Sequence, residues 1–169
     1  RLKKVSYRAE KHNPSYHPGR CAELSVDGVD VGVMGQVHPL VAKNYGIDSD
    51  VYCAEINFTK LMEYLLPDPT YTPLPKYPAV TRDLALICDE AVTVAQAEDV
   101  ITAAAGKLLQ GVKLFDIYRG VGVPEGKKSM AFSLELRADD RTLTDTDSEA
   151  VVTKVLARLK ETLNATLRG

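Results

Sequence analysis

Phe115-Asp116-Ile117-Tyr118-Arg119-Gly120, with the run Lys128-Ser129-Met130-Ala131-Phe132-Ser133-Leu134-Glu135-Leu136-Arg137 downstream of it, decides the fold. As a strand over 114–119, the first run alternates between two faces, with Phe115 and Ile117 on one and Asp116 and Tyr118 on the other. The second run alternates as cleanly: Met130, Phe132, Leu134 and Leu136 make an apolar face, and Ser129, Ser133, Glu135 and Arg137 an open one. Val121-Gly122-Val123-Pro124-Glu125-Gly126 reads as the turn between them. An antiparallel hairpin in the register that buries both apolar sets puts Ser129 beside Tyr118 and Asp116. An aromatic ring, a carboxylate and a hydroxyl then converge on one solvent-facing sheet surface, and Phe115 and Ile117 are expected in the core.

Upstream, Val80 to Cys88 reads as a strand and Thr93 to Leu109 as a helix whose apolar stripe is Ala97, Val100, Ile101, Ala104, Ala105, Leu108 and Leu109. Thr93 with Gln96 forms a capping box, and Gly111 offers a stop. Downstream, Thr146 with Glu149 offers a second capping box ahead of Val152, Val155, Leu156, Leu159 and Leu163, and Ala165 to Arg168 suits a short closing edge strand. The order strand, helix, strand, strand, helix, strand describes an α+β fold. It is the ferredoxin-like split βαβ sandwich, a four-stranded antiparallel sheet with two helices on one face and the other face open.

Pro67-Asp68-Pro69-Thr70-Tyr71-Thr72-Pro73-Leu74-Pro75-Lys76-Tyr77-Pro78 holds five of the nine prolines, so it cannot be helical and reads as an extended linker. The expected organisation is therefore a first segment 1–66, a linker 67–74 and a sandwich 75–169. In the first segment, residues 1 to 19 show no clean period. Cys21 to Val26 and Val31 to Met34 are strand-like around an Asp27-Gly28 hairpin signal, and Pro39 opens a short helix ending near Tyr45 before Gly46. Val51 to Phe58 reads as a third strand, and Thr59 as the cap of a helix through Leu66. Such a segment is small for an independent core and is expected to belong to a larger sheet. The chain opens on Arg1 rather than Met, which suggests a piece of something longer.

With 169 residues, a formal charge of -2 and 45% hydrophobic residues, the composition fits a globular chain and offers no basic tail for nucleic acid. Cys21, Cys53 and Cys88 lack any paired spacing, which argues against zinc or a disulfide framework and for a reducing, intracellular setting. No apolar run reaches the roughly 18 residues of a membrane span. His12, His17 and His38 read as loop residues without metal-ligand spacing. No nucleophile elbow or phosphate loop is present. Arg82-Asp83 suits either a site or a local ion pair.

The open face is the sharper candidate. Single-stranded RNA is commonly held by a ring stacked on a base while carboxylates and hydroxyls bond base edges, and Tyr118, Asp116 and Ser129 have those abilities. An ordinary solvated face is the plainer reading. From Leu74 onward 13 Lys and Arg stand against 14 Asp and Glu, so electrostatics alone would not hold RNA.

Four motifs, in order, add what the residues alone do not. Tyr77-Pro78-Ala79-Val80-Thr81-Arg82-Asp83-Leu84, Phe115 to Gly120, Lys127-Lys128-Ser129 and Arg141-Thr142-Leu143-Thr144-Asp145 closely resemble the C-terminal anticodon-binding domain of bacterial phenylalanyl-tRNA synthetase β chains. His17-Pro18-Gly19-Arg20 and Gly35-Gln36-Val37-His38-Pro39 resemble the end of that chain's synthetase-like module, a class II synthetase fold without catalytic residues. The resemblance implies an α2β2 tetramer that attaches phenylalanine to tRNA(Phe) in the cytoplasm using ATP and magnesium, with the active site in the α chain. It implies no catalytic, metal or cofactor site in this stretch, the editing site and magnesium ligands of the β chain upstream of Arg1, and anticodon contacts from Asp116, Tyr118 and Ser129. Two other readings share the element order: an ACT-like regulatory domain binding a small molecule, and an acylphosphatase-like enzyme. The second lacks its phosphate loop, since Cys88-Asp89-Glu90 is acidic where that loop would lie.

Overall fold

Asp27-Gly28 turns the chain between two strands, as the pair predicts. The computed structural model describes residues 2, 4–67, 71 and 73–168, so Asp68, Pro69, Thr70 and Thr72 of the proline-rich stretch lie outside the described residues. The chain divides into two compact units, Arg1–Tyr71 and Thr72–Gly169.

The first unit is a four-stranded antiparallel sheet in the order β1-β2-β3-β4, formed by β1 (Val5–Ala9), β2 (Tyr16–Val26), β3 (Val29–Val37) and β4 (Tyr52–Ile56). Two short helices accompany it, α1 (Pro39–Asn44) and α2 (Phe58–Met62). The sequence reading missed β1, which has no alternating burial to announce it, since all five of its residues are exposed. It also ended α2 too late and capped it wrongly: Asn57, not Thr59, accepts from the Lys60 N–H at 3.0 Å. Two of the histidines serve local turns. His38 caps α1 by accepting from the Leu40 N–H, and the His17 Nδ1 accepts from the Gly19 N–H.

The second unit has the expected element order. β5 (Val80–Asp89), α3 (Val94–Ala105), β6 (Leu109–Tyr118), β7 (Lys127–Leu136), α4 (Asp145–Leu163) and β8 (Thr166–Leu167) follow one another, and the sheet order is β6-β7-β5-β8. One core joins Leu84, Leu86 and Cys88 of β5 and Met130, Phe132, Leu134 and Leu136 of β7 to Ala97, Ile101 and Ala104 of α3 and Val151, Val155 and Leu159 of α4. Both helices therefore cover the same sheet face, which is the split βαβ sandwich.

Three local expectations need correction. The helix predicted through Leu109 stops at Ala105, because Gly106 takes φ 65°, a conformation that costs glycine little. Leu109 instead opens β6 opposite Leu136. The α4 capping box is Thr144 with Asp147, not Thr146 with Glu149. Phe115 and Ile117 are not core. The pairing jumps from Leu114 opposite Phe132 to Asp116 opposite Ala131, so Phe115 is the extra residue of a β-bulge and is 55% exposed. Ile117 stays on the side of Met130, yet it lies on an edge strand and is 36% exposed.

Candidate nucleic-acid interface

The bulge at Phe115 decides which side chains share a face. Beyond it the pairing is regular, with Asp116 opposite Ala131, Ile117 opposite Met130 and Tyr118 opposite Ser129. Met130 belongs to the core, so alternation turns Asp116, Tyr118, Ser129 and Ala131 to the face that the helices leave open. Tyr118 and Ser129 thus form a direct cross-strand pair, with Asp116 one row away. The rows continue onto β5, where Ser129 meets Ile87 and Ala131 meets Ala85. They end on β8 and just past it, with Thr166 beside Ile87 and the Arg168 N–H donating to the Ala85 carbonyl at 2.8 Å.

The three side chains differ in access. Asp116 is exposed and Tyr118 is 37% exposed, whereas Ser129 is only 3% exposed. Ser129 lies on the expected face but not at the solvent boundary. It sits on an interior strand, and the Arg168 guanidinium lies 5.0 Å from the centroid of the Tyr118 ring. No sequence pattern announced that contact beyond a basic residue at the end of a short closing strand.

A polar clamp beside the hairpin holds the Tyr118 end of β6. The Arg119 Nε donates to both carboxylate oxygens of Glu90, at 3.0 and 3.1 Å, and its Nη2 donates to Oε1 at 2.6 Å. Such a two-pronged pair fixes direction as well as distance. It lowers the Glu90 pKa from its ordinary value and raises that of Arg119. The buried Lys128 Nζ donates to the Glu90 carbonyl at 2.9 Å, and Lys127 pairs with Asp89 at 3.3 Å. Gly120 completes the setting: a Cβ there would stand 2.6 Å from the Tyr118 hydroxyl oxygen, so only glycine leaves the ring its place. Alternation alone did not single out Glu90 or Gly120 for these tasks.

Arg82-Asp83 does not make a joint site. The Arg82 Nη2 donates to the Asp145 carboxylate at 2.6 Å at the start of α4, while Asp83 pairs with Ser133 in the ladder, on the opposite sheet face. Among the described residues no three His, Cys, Asp or Glu side chains gather as a metal ion would require, and no helix is long and apolar enough to cross a membrane.

Comparison with known proteins bears on both units. Residues 75–168 match the family model described as ferredoxin-fold anticodon binding domain, and residues 1–58 match the phenylalanyl tRNA synthetase beta chain CLM domain. The chain is 43% identical over 167 residues to the phenylalanine–tRNA ligase beta subunit of Clostridium tetani, covering 99% of this chain and 21% of that one. It is 47% identical over 157 residues to the same subunit of Symbiobacterium thermophilum, covering 93% and 18%. For the Bacillus subtilis subunit the identity is 44% over 153 residues, covering 90% and 19%. The chain thus spans about a fifth of the length of these relatives. The ACT-like regulatory reading is left without support, because the model matched over the sandwich is an anticodon-binding one. With an open sheet face, the split βαβ order and that match over more than half its length, the chain belongs to the ferredoxin-fold anticodon-binding domain family.

Proposed function

We propose that residues 75 to 169 are the anticodon-reading domain of a phenylalanine–tRNA ligase β chain, that 67 to 74 are a linker, and that 1 to 66 are the end of its non-catalytic synthetase-like module. The observation that carries this reading is the cross-strand pair of Tyr118 with Ser129, with Asp116 on the same open face, in a domain matched by an anticodon-binding family. Tyr118 stacks on the first anticodon base of tRNA(Phe), while Asp116 and Ser129 meet its edge. A carboxylate accepts from the imino and amino groups of guanine, which suits a GAA anticodon. Stacking of one base on such a ring is worth about 1–3 kcal/mol.

The attachment of phenylalanine is the work of a partner α chain in an α2β2 tetramer, in the cytoplasm where tRNA is charged. The donor groups described in this chain do not suit magnesium, as no acidic or histidine cluster is present among them. ATP and magnesium belong to the complete enzyme, and no step here passes through either. The near balance of charge in the sandwich predicts weak binding by this chain alone, with most of the affinity supplied by the assembled tetramer.

The test is an NMR titration of the chain with a GAA anticodon stem-loop and, in parallel, with a loop changed at the first anticodon base. Shifts at Tyr118, Asp116 and Ser129 with the GAA loop alone are expected, and Tyr118→Ala should weaken them at least several-fold with the fold intact. Equal shifts from both loops would remove the claim of first-base reading. Silence from both would move the chain to a docking role within the tetramer.

A further inference from the structure

We infer that Arg168 is a displaceable roof over the RNA-reading face: its guanidinium occupies the Tyr118 ring until a base takes that position, and it then turns to the phosphate backbone of the bound strand. The inference deepens the anticodon reading above and rests on it.

Geometry makes the case. Tyr118 lies on β6 and Arg168 follows β8, at opposite edges of the sheet. Three strand spacings, roughly 14 Å, separate those edges. The two side chains nevertheless stand 5.0 Å apart, guanidinium to ring centroid. Their side chains therefore bridge that separation across the open face. The Ser129 hydroxyl has no hydrogen-bond partner among the described residues, yet it keeps contact with solvent, since the fully buried side-chain atom without a partner there is the Arg137 Nε. A base seated on Tyr118 supplies that partner, but only once Arg168 has left the ring.

Arg168 is suited to leave. A planar cation on a tyrosine face imitates a stacked base, yet at a half-exposed position this attraction is weaker than a stacked base provides. No carboxylate among the described residues pairs with Arg168, whereas Arg82, Arg119, Arg141 and Arg158 are each bound to one. Its anchor is short too, as β8 comprises only Thr166–Leu167. The open face carries acidic Asp83, Asp116 and Glu135 beside Lys113, and a freed guanidinium is a matched partner for a phosphate arriving there.

The side-chain Nε–Hε signal of Arg168, assigned by its loss in Arg168→Gln, reports its place on the ring. In the free chain the Tyr118 ring current shifts it upfield, and saturation with the GAA stem-loop should return it to the position of an unstacked arginine. The slope of log affinity against log salt should become shallower by about 0.7 in Arg168→Gln, the loss of one phosphate contact on a single strand. An Arg168 signal that stays ring-shifted in the saturated complex, while Tyr118→Ala still weakens binding, overturns the displacement and leaves the anticodon reading standing. Binding indifferent to Tyr118→Ala, or no binding of the loop at all, overturns both.

Discussion

At the scale of single residues, the site depends on a bulge and a missing methyl group. Strict alternation placed Phe115 in the core because period two is the only rule a strand shows in its sequence. The extra residue in β6 breaks that rule at Phe115 and restores it at Asp116, so Asp116 and Tyr118 still reach the open face. The face of Asp116 and Tyr118 was legible for that reason, while the fate of Phe115 was not. Gly120 was legible only as a turn residue, since its closeness to the Tyr118 hydroxyl is a matter of three-dimensional approach. Gly120→Ala puts a methyl group within 2.6 Å of that oxygen, and the flexible end of the tyrosine gives way rather than the strand. The expected outcome is a displaced Tyr118 ring, seen as changed ring shifts and a loss of the Arg168 contact, with weaker binding of the GAA loop. An unchanged ring spectrum would show that the pocket at Gly120 is not what positions Tyr118.

At the scale of elements, capping decides the boundaries, and the sequence contained two candidates where only one is used. Thr144-Asp145-Thr146-Asp147-Ser148-Glu149 offers Thr144 with Asp147 and Thr146 with Glu149 in the same pattern. Tertiary partners select the first: Arg82 holds Asp145 at 2.6 Å and Arg141 holds Asp147 at 3.1 Å, both from outside the helix. Those partners are invisible to a local reading. Thr144→Ala should cost about 1 kcal/mol in urea denaturation, and Thr146→Ala only a few tenths. Equal losses would mean that the cap is shared. The Glu90–Arg119 clamp has a pH signature. The folded-state pKa of Glu90 lies below its ordinary 4.5, so its contribution is fully present above that value and is lost as pH falls through the lower, folded one. The carboxyl carbon of Glu90 should therefore titrate below 4.5 by NMR and return to the ordinary range in Arg119→Gln. Salt should have the same effect in part, because the pair is exposed.

At the scale of the whole molecule, the two units differ in what their sequences could reveal. The second carries 17 buried apolar residues in one cluster, and its two helical stripes and alternating strands spell out that core along the chain itself. Among its described apolar residues the first buries only Tyr16, Val26, Val31 and Ala42, and it leaves Tyr7, Tyr52 and Phe58 more than half exposed, so β1 had no pattern to betray it. Stability in the second unit should accordingly concentrate where β7 meets both helices, at Phe132, which is 0% exposed and the largest of the fully buried side chains. Phe132→Ala removes a ring from a filled interior and should destabilise the sandwich by about 3–5 kcal/mol. Against the roughly 5–15 kcal/mol of a whole domain, that loss is large enough to bring the variant near its unfolding threshold. Amides of α3, α4, β5 and β7 should lose protection against hydrogen exchange together, since a single cluster links these elements. The same substitution leaves the open face chemically untouched, because Phe132 points to the side opposite Ser129 and Ala131. RNA binding, measured under conditions where the variant remains folded, should therefore match that of the parent. A variant that stayed stable but bound the GAA loop more weakly would mean that the two faces of β7 have been assigned the wrong way round.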